Sequence, residues 1–219
     1  MISIFLPTRY RIPFCLPRAI ESIVYNSSSK ENFEIIFGVD NDDQYTLSFL
    51  KQLPKDINYQ IVSLDPPGYK RLYIYFDKMS EIAKGDFFWL FPDDVEILTR
   101  NWDLEILNKK DEMYLYASLG PTYDSWPYSL IPIISNRWYH ATSRISGNAQ
   151  ADCWLGCIAY DLDLVTKINV VCNLFMMSDG SKHDTENLAT IHREEHLKDK
   201  KMILDYTKST DNGKMLGFV

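Results

Sequence analysis

The stretch Gly85-Asp86-Phe87-Phe88-Trp89-Leu90-Phe91-Pro92-Asp93-Asp94-Val95 decides how the rest of this chain is read. Asp86 to Phe91 is almost wholly apolar, the pattern of a buried strand. The run ends by delivering two adjacent carboxylates, Asp93 and Asp94, at the strand's C-terminal end. In open α/β sheets that edge is where ligands bind. Adjacent carboxylates repel unless something positive stands between them, and the usual solution is a divalent metal that carries a phosphate. Pro-Asp-Asp is also good turn chemistry, so on this fragment a metal site and a solvated turn are both open.

Upstream, Ile2 to Leu6 is a short apolar run closed by Pro7-Thr8-Arg9 and reads as a first buried strand. Leu16, Ala19, Ile20, Ile23 and Val24 then recur at helical spacing, with Pro17 in the first turn. Phe33 to Val39 is a second apolar strand, and it ends in Asp40-Asn41-Asp42-Asp43. A helix through Leu47, Leu50 and Leu53 stops at Pro54. Tyr59 to Leu64 is a third strand, followed by the loop Asp65-Pro66-Pro67-Gly68. Arg71 to Ala83 reads as a helix with Gly85 just past its end. Strands alternating with helices predict parallel pairing through right-handed crossovers, so the polar residues after these strands converge on one sheet edge. The fold class is therefore α/β: one domain with a mostly parallel central sheet flanked by helices.

Beyond Asp103 the regularity falls. Met113 to Leu119 and Leu130 to Ser135 read as strands, separated by a loop rich in Pro, Tyr and Trp. Ala151 to Leu162 reads as a helix with Trp154, Leu155, Ile158, Ala159 and Leu162 on one face. Met176 to Thr185 is polar and looped, and Glu186 to Lys200 reads as a polar helix. The tail from Tyr206 contains Gly and Lys and is expected to be mobile.

The chain has 219 residues, of which 46% are hydrophobic and 24% charged, enough for one full core. A net charge of -7, with a Lys run only near Lys198 to Lys201, argues against nucleic acid as a partner. No stretch approaches the roughly 20 apolar residues that span a bilayer, and Pro7 and Arg9 cut short the N-terminal apolar run, so neither a transmembrane segment nor a signal peptide is expected. Cys15, Cys153, Cys157 and Cys172 lack secreted-framework spacing, which suits a reducing, cytoplasmic setting. The Lys-, Asn- and Ile-containing composition suits a virus-encoded protein or an AT-rich genome.

The segments Ile4-Phe5-Leu6-Pro7-Thr8-Arg9, Ile35-Ile36-Phe37-Gly38-Val39-Asp40-Asn41 and Gly85 to Val95 stand in an order and spacing that resembles the family 2 glycosyltransferases. Pro132-Ile133-Ile134-Ser135-Asn136-Arg137-Trp138 and Ala151-Asp152-Cys153-Trp154 match more faintly. That family has the GT-A fold, a Rossmann-like α/β architecture. The resemblance implies a nucleotide-sugar-binding half over residues 1–103 and an acceptor and catalytic half of the same domain over 104–219. It implies a nucleotide-sugar donor, a UDP-sugar being favoured, with Mn²⁺ or Mg²⁺ and inversion at the anomeric carbon. The acceptor would be a hydroxyl on a glycan, a lipid-linked substrate or a protein. By position, Pro7, Thr8 and Arg9 would edge the nucleoside pocket and Asp40 would accept hydrogen bonds from base or ribose. Asp93 and Asp94 would stand at the family's Asp-x-Asp metal motif. Pro92 replaces the motif's first acid, leaving Asp94 the firmer ligand and Asp93 a helper.

Inverting transfer needs a base for the acceptor proton and charge stabilisation on the departing diphosphate. The resemblance points to Asp152 as that base, at the start of an apolar-faced helix; a first-turn acid is also simply good helix chemistry. Asp161 and Asp163 lie at the other end of the same helix, and Glu96 alternates away from the metal along an extended strand. His183, in a polar loop, is the candidate third metal ligand, with His196 as a substitute; an exposed loop histidine is the plain alternative. Lys70 and Arg71 could meet the diphosphate or instead cap a loop and start a solvated helix. His192-Arg193-Glu194-Glu195-His196 matches a zinc peptidase pattern, but charge on both sides reads better as a solvated helix face. Cys153 and Cys157 are expected to pack as small hydrophobes. Two further readings stay open: a GT-A-like domain that binds nucleotide or glycan without turnover, and a nucleotidyltransferase, which the lack of glycine in Pro7-Thr8-Arg9-Tyr10-Arg11 disfavours.

Overall fold

The continuous apolar runs become the middle of a sheet and the polar residues after them gather at one edge of it. In a computed structural model that describes residues 1–68, 71–124, 129–148, 150–175 and 193–215, the chain runs β1 (Ile2–Thr8), α1 (Cys15–Asn26), β2 (Phe33–Asp40), α2 (Gln44–Leu50), β3 (Tyr59–Leu64), α3 (Tyr73–Ile82), β4 (Phe87–Leu90) and β5 (Val95–Ile97). It continues through α4 (Trp102–Leu107), β6 (Tyr114–Ser118), α5 (Pro121–Asp124), β7 (Pro132–Ser135), α6 (Asn136–Thr142), α7 (Ala151–Asp161), β8 (Val165–Leu174) and α8 (Arg193–Met215). Among the described residues the strands form one eight-stranded sheet in the order β3-β2-β1-β4-β7-β6-β8-β5.

The first four strands pair in parallel, with Leu6 opposite Phe37 and Ile4 opposite Trp89. The second half mixes directions: β7 runs antiparallel to both β4 and β6, β6 pairs in parallel with β8, and β5 closes the edge antiparallel to β8. The sheet is therefore mixed, wholly parallel where strand–helix alternation predicts it and mixed in direction where that alternation breaks down.

Because side chains alternate across a strand, each apolar run supplies both faces. Ile4, Phe37 and Trp89 join α1 and Trp102 in one core, while Phe5, Ile36 and Phe88 face α3 and α7 in the other. Full burial of such side chains stabilises by about 1.5–3 kcal/mol each. β2 is buried over its whole length. Asp86 stands just outside β4, exposed, where it pairs with the N-terminal amino group at 2.6 Å.

Several expectations need correction. The C-terminal helix runs to Met215, so the segment from Tyr206 to Met215 is helical; Ile203 is buried and Tyr206 packs against the core beside it. Cys157 is exposed and Cys153 half-buried, because α7 turns Trp154, Leu155 and Ile158 inward instead. No described helix is long and apolar enough to cross a membrane.

Asp77 on α3 reports how tightly the second core is closed. Its carboxylate accepts the Ile145 backbone N–H at 2.9 Å, and burial pushes its pKa up to about 6, with Arg144 opposing. A carboxyl whose folded pKa is raised favours the folded state most at low pH, and that contribution is lost as pH rises through about 6. Asp77→Asn keeps an acceptor for Ile145 and removes the buried charge. It is expected to raise stability by about 1–2 kcal/mol near pH 7.5, after allowing for solvent screening, and by almost nothing near pH 4. Thermal unfolding at both pH values checks this; a less stable variant at the higher pH would contradict it.

Candidate active site

The parallel strands β1, β2 and β3 end at a common edge, and β4 reaches it through Pro92. A cavity of about 770 Å³ opens there, within the range of small-molecule sites, roughly 300–1,000 Å³. The end of β1 and the following turn contribute Pro7, Thr8, Arg9 and Arg11, and β2 contributes Gly38 and Asp40. Pro66, Pro67 and Gly68 cover one side; Gly68 takes a φ of 73°, which a glycine adopts without steric cost. The opening turns of α3 supply Leu72, Tyr75 and Phe76. Asp93 and Asp94 join the lining after β4, and Pro132, Ala151 and Asp152 join it from the second half of the chain.

The two strand-end carboxylates have an internal cation. Arg11 Nε lies 3.6 Å from Asp93 Oδ1, and Thr8 Oγ1 donates to Asp93 Oδ2 at 2.6 Å. Burial nonetheless pushes Asp93 up to about 6, with Asp94 adding to the rise and Thr8 and Arg11 opposing it. Asp94 is raised too, again chiefly by burial and against Arg11, and its backbone carbonyl accepts the Phe175 N–H at 3.0 Å. Asp152, in the first turn of α7, is raised by burial against the lowering pull of the backbone amides around it.

Asp40 has both oxygens engaged. The Arg9 guanidinium donates to Oδ2, and the Tyr75 hydroxyl donates to Oδ1 at 2.6 Å. Arg9 also reaches Asp42 at 2.9 Å. Burial pushes the Tyr75 phenol up to about 12, so it stays a donor. Asp43 serves the fold instead, capping α2 through the Thr46 N–H at 3.0 Å and accepting the Tyr10 N–H at 2.7 Å.

Pro7, Thr8, Arg9, Asp40, Asp93, Asp94 and Asp152, drawn from separate stretches of sequence, thus line one cavity. Arg71 is exposed in the turn after Gly68, outside that lining. Lys70 and His183 lie outside the described residues, as does His192 of the zinc-like pattern. His196 is not among the residues lining the cavity: it stands edge-on to Trp154, ring centroids 4.9 Å apart, with Nε2 3.2 Å from the Trp154 carbonyl. Glu96 points away as expected and is held by Arg18 at 2.7 and 2.5 Å and by Asn173 at 2.8 Å. Among the described residues no group of three His, Cys, Asp or Glu could hold an ion by itself. Sequence reasoning missed Arg11 and Tyr75. The first was legible only as a basic residue past the first strand, and the second only as one aromatic on an amphipathic helix.

The sequence matches no protein-family model, and no curated protein sequence resembles it significantly. Solved structures do. A mannosyltransferase, PcManGT, from Pyrobaculum calidifontis in complex with GDP-Man and Mn²⁺ superposes with a TM-score of 0.65 at 11% identity, covering 82% of this chain and 58% of that one. S. aureus TarS residues 1–349 in complex with UDP gives 0.59 at 14%, over 81% and 58%. The same protein in complex with UDP-GlcNAc gives 0.56 at 14%, over 81% and 56%. This chain therefore spans less than three fifths of the length of each. Such identities speak to architecture, and the architecture is unambiguous: this chain has the GT-A fold.

Proposed function

We propose that the chain transfers a sugar from a nucleotide-diphosphate donor, a UDP-sugar being favoured, to a hydroxyl acceptor on a glycan, lipid-linked or protein substrate, with inversion. The observation that carries this reading is the convergence of Asp40, Asp93, Asp94 and Asp152 on one strand-end cavity large enough for such a donor. The nucleotide-sugars bound to the structural neighbours support it. In this reading Asp40, with Pro7, Thr8 and Arg9, holds the nucleoside.

Asp93 and Asp94 suit Mn²⁺ or Mg²⁺. Both are hard oxygen donors, adjacent, Asp93 buried and Asp94 half-buried, and burial raises both pKa values against the opposing pull of Arg11. No third protein ligand joins them among the described residues, and such ions commonly take one or two carboxylates and complete their shell with phosphate and water. Asp94 is the firmer ligand, because Asp93 already accepts from Thr8. When bound, the ion supplies charge neutralisation to the departing diphosphate.

Asp152 lines the same cavity from the first turn of α7. Its carboxylate takes the acceptor's hydroxyl proton as that oxygen bonds to the anomeric carbon and the bond to the diphosphate oxygen breaks. In this reading Lys70 and Arg71 would meet the diphosphate and His183 would be the third metal ligand, Arg71 reaching in from outside the lining.

Calorimetric titration with UDP, GDP and dTDP, each with and without Mn²⁺, tests the donor site. Metal-dependent binding of one nucleotide is expected, reduced at least tenfold by Asp94→Asn, a loss of about 1.4 kcal/mol. Failure of every nucleotide to bind would leave only the fold. Pro92 at the motif's first position, together with Arg11 beside Asp93, favours one second reading, a domain that holds nucleotide or glycan without turnover. Donor binding with no product across a broad acceptor screen would select it.

A further inference from the structure

We propose that Tyr75 is a positioning residue: its hydroxyl fixes Oδ1 of Asp40, so that Oδ2, the oxygen held by Arg9, is the one a nucleoside takes over. This rests on reading Asp40 as the nucleoside acceptor. The two partners of Asp40 differ in how readily each can leave. Tyr75 is 4% exposed, and its ring fills the space that the missing side chain of Gly38 leaves. A Cβ on Gly38 would stand 2.7 Å from Tyr75 Cδ1 and 2.6 Å from Met79 Cε, so glycine at this point of β2 is what lets α3 bring the phenol over the strand end. Withdrawing the hydroxyl would leave a buried donor and a buried carboxylate oxygen without partners.

Arg9 is the opposite case. Its side chain is 41% exposed, and it shares its charge with Asp42, itself 47% exposed. An exposed guanidinium can swing into water with Asp42 at little cost. A carboxylate offers about four acceptor positions, so a base or ribose donor can replace Arg9 on Oδ2 while Tyr75 keeps the group from rotating. Both Arg9 and Tyr75 line the cavity into which Asp40 opens.

The test is a double-mutant cycle on nucleotide affinity in the full chain, with Mn²⁺ present and UDP, GDP and dTDP as probes. The proteins are the wild type, Tyr75→Phe, Asp40→Asn and the double variant. Tyr75→Phe deletes one oxygen and leaves the ring packed against Gly38; unfolding midpoints establish that each variant is folded. For whichever nucleotide the wild type binds, Tyr75→Phe is expected to weaken binding about tenfold, and the same change in the Asp40→Asn background to cost less than about twofold. A purely structural tyrosine would cost the same in both backgrounds, and that result, or unchanged affinity in Tyr75→Phe, overturns the proposal alone. A wild type that binds none of the three overturns the reading of the site and this inference with it.

Discussion

Asp152→Asn is expected to leave nucleotide affinity within about twofold of wild type and to lower sugar transfer by about 10²–10⁴-fold, the contribution of a positioned general base. The two effects separate because of where the residue stands. Asp40, Asp93 and Asp94 sit at the ends of the parallel strands, whereas Asp152 enters the cavity from α7, in the half of the chain that carries no part of the proposed nucleotide pocket. The amide is nearly isosteric, so the first turn of α7 keeps its shape and only proton affinity is lost. Burial raises the carboxyl above its ordinary value of 3.8, which makes it a better base than an exposed aspartate. The rate should therefore fall as pH drops towards that raised value, and the fall should be absent from whatever activity Asp152→Asn retains. The measurement is turnover of the nucleotide-sugar that the binding screen selects, in wild type and variant, over a pH series. Wild-type turnover by the variant would remove Asp152 from the chemistry and reopen Asp161 and Asp163. Asp161 already pairs with Lys200 at 2.8 Å, so it would start as the weaker candidate.

The half of the fold that was legible is the half where burial on both faces writes a continuous apolar run. β1, β2 and β4 are such runs, each followed by the polar residues of the cavity, so strand positions and the convergence of Asp40 and Asp93–Asp94 followed together. β8 is different. Its buried Ile168, Val170 and Cys172 alternate with exposed Lys167, Asn169 and Val171, a period of two that a reading keyed to apolar runs passes over. Its absence hid the antiparallel closure with β5, and with it the backbone contact from Phe175 to Asp94. Arg11 and Tyr75 were illegible for another reason. Each matters through a partner far along the chain, Asp93 and Asp40 respectively, and no local pattern marks such a pairing. The resemblance to a glycosyltransferase family supplied Asp152, which composition and periodicity allow but do not single out.

Asp199→Ala is expected to lower the unfolding midpoint by about 5–15 °C, taking roughly 2–4 °C per kcal/mol for a domain of this size. A helix as polar as α8 has no broad apolar stripe with which to dock, so its attachment must come from elsewhere. Asp199 is 2% exposed and accepts from Arg144 Nε and Nη2, both at 2.9 Å, and from the Trp154 indole N–H at 3.1 Å. The same guanidinium lies over the Trp154 ring at 5.5 Å, and Gly147 packs so closely that an added Cβ would stand 2.6 Å from that ring. One carboxylate thus ties α8, α7 and the loop between α6 and α7. Removing one partner of a buried pair costs about 3–5 kcal/mol because the other charge is left uncompensated. Here the cost should be nearer 2–4, since Arg144 is 26% exposed and keeps Glu195 at 3.2 Å. Asp199→Asn retains an acceptor for Trp154 and should fall between the two. Thermal unfolding of the three proteins at neutral pH decides the matter: equal midpoints would mean that the few buried apolar contacts of α8, Ile203 among them, hold the helix alone. A clear loss would identify an ion pair, rather than an apolar face, as the reason a solvated-looking helix packs against the element that carries Asp152.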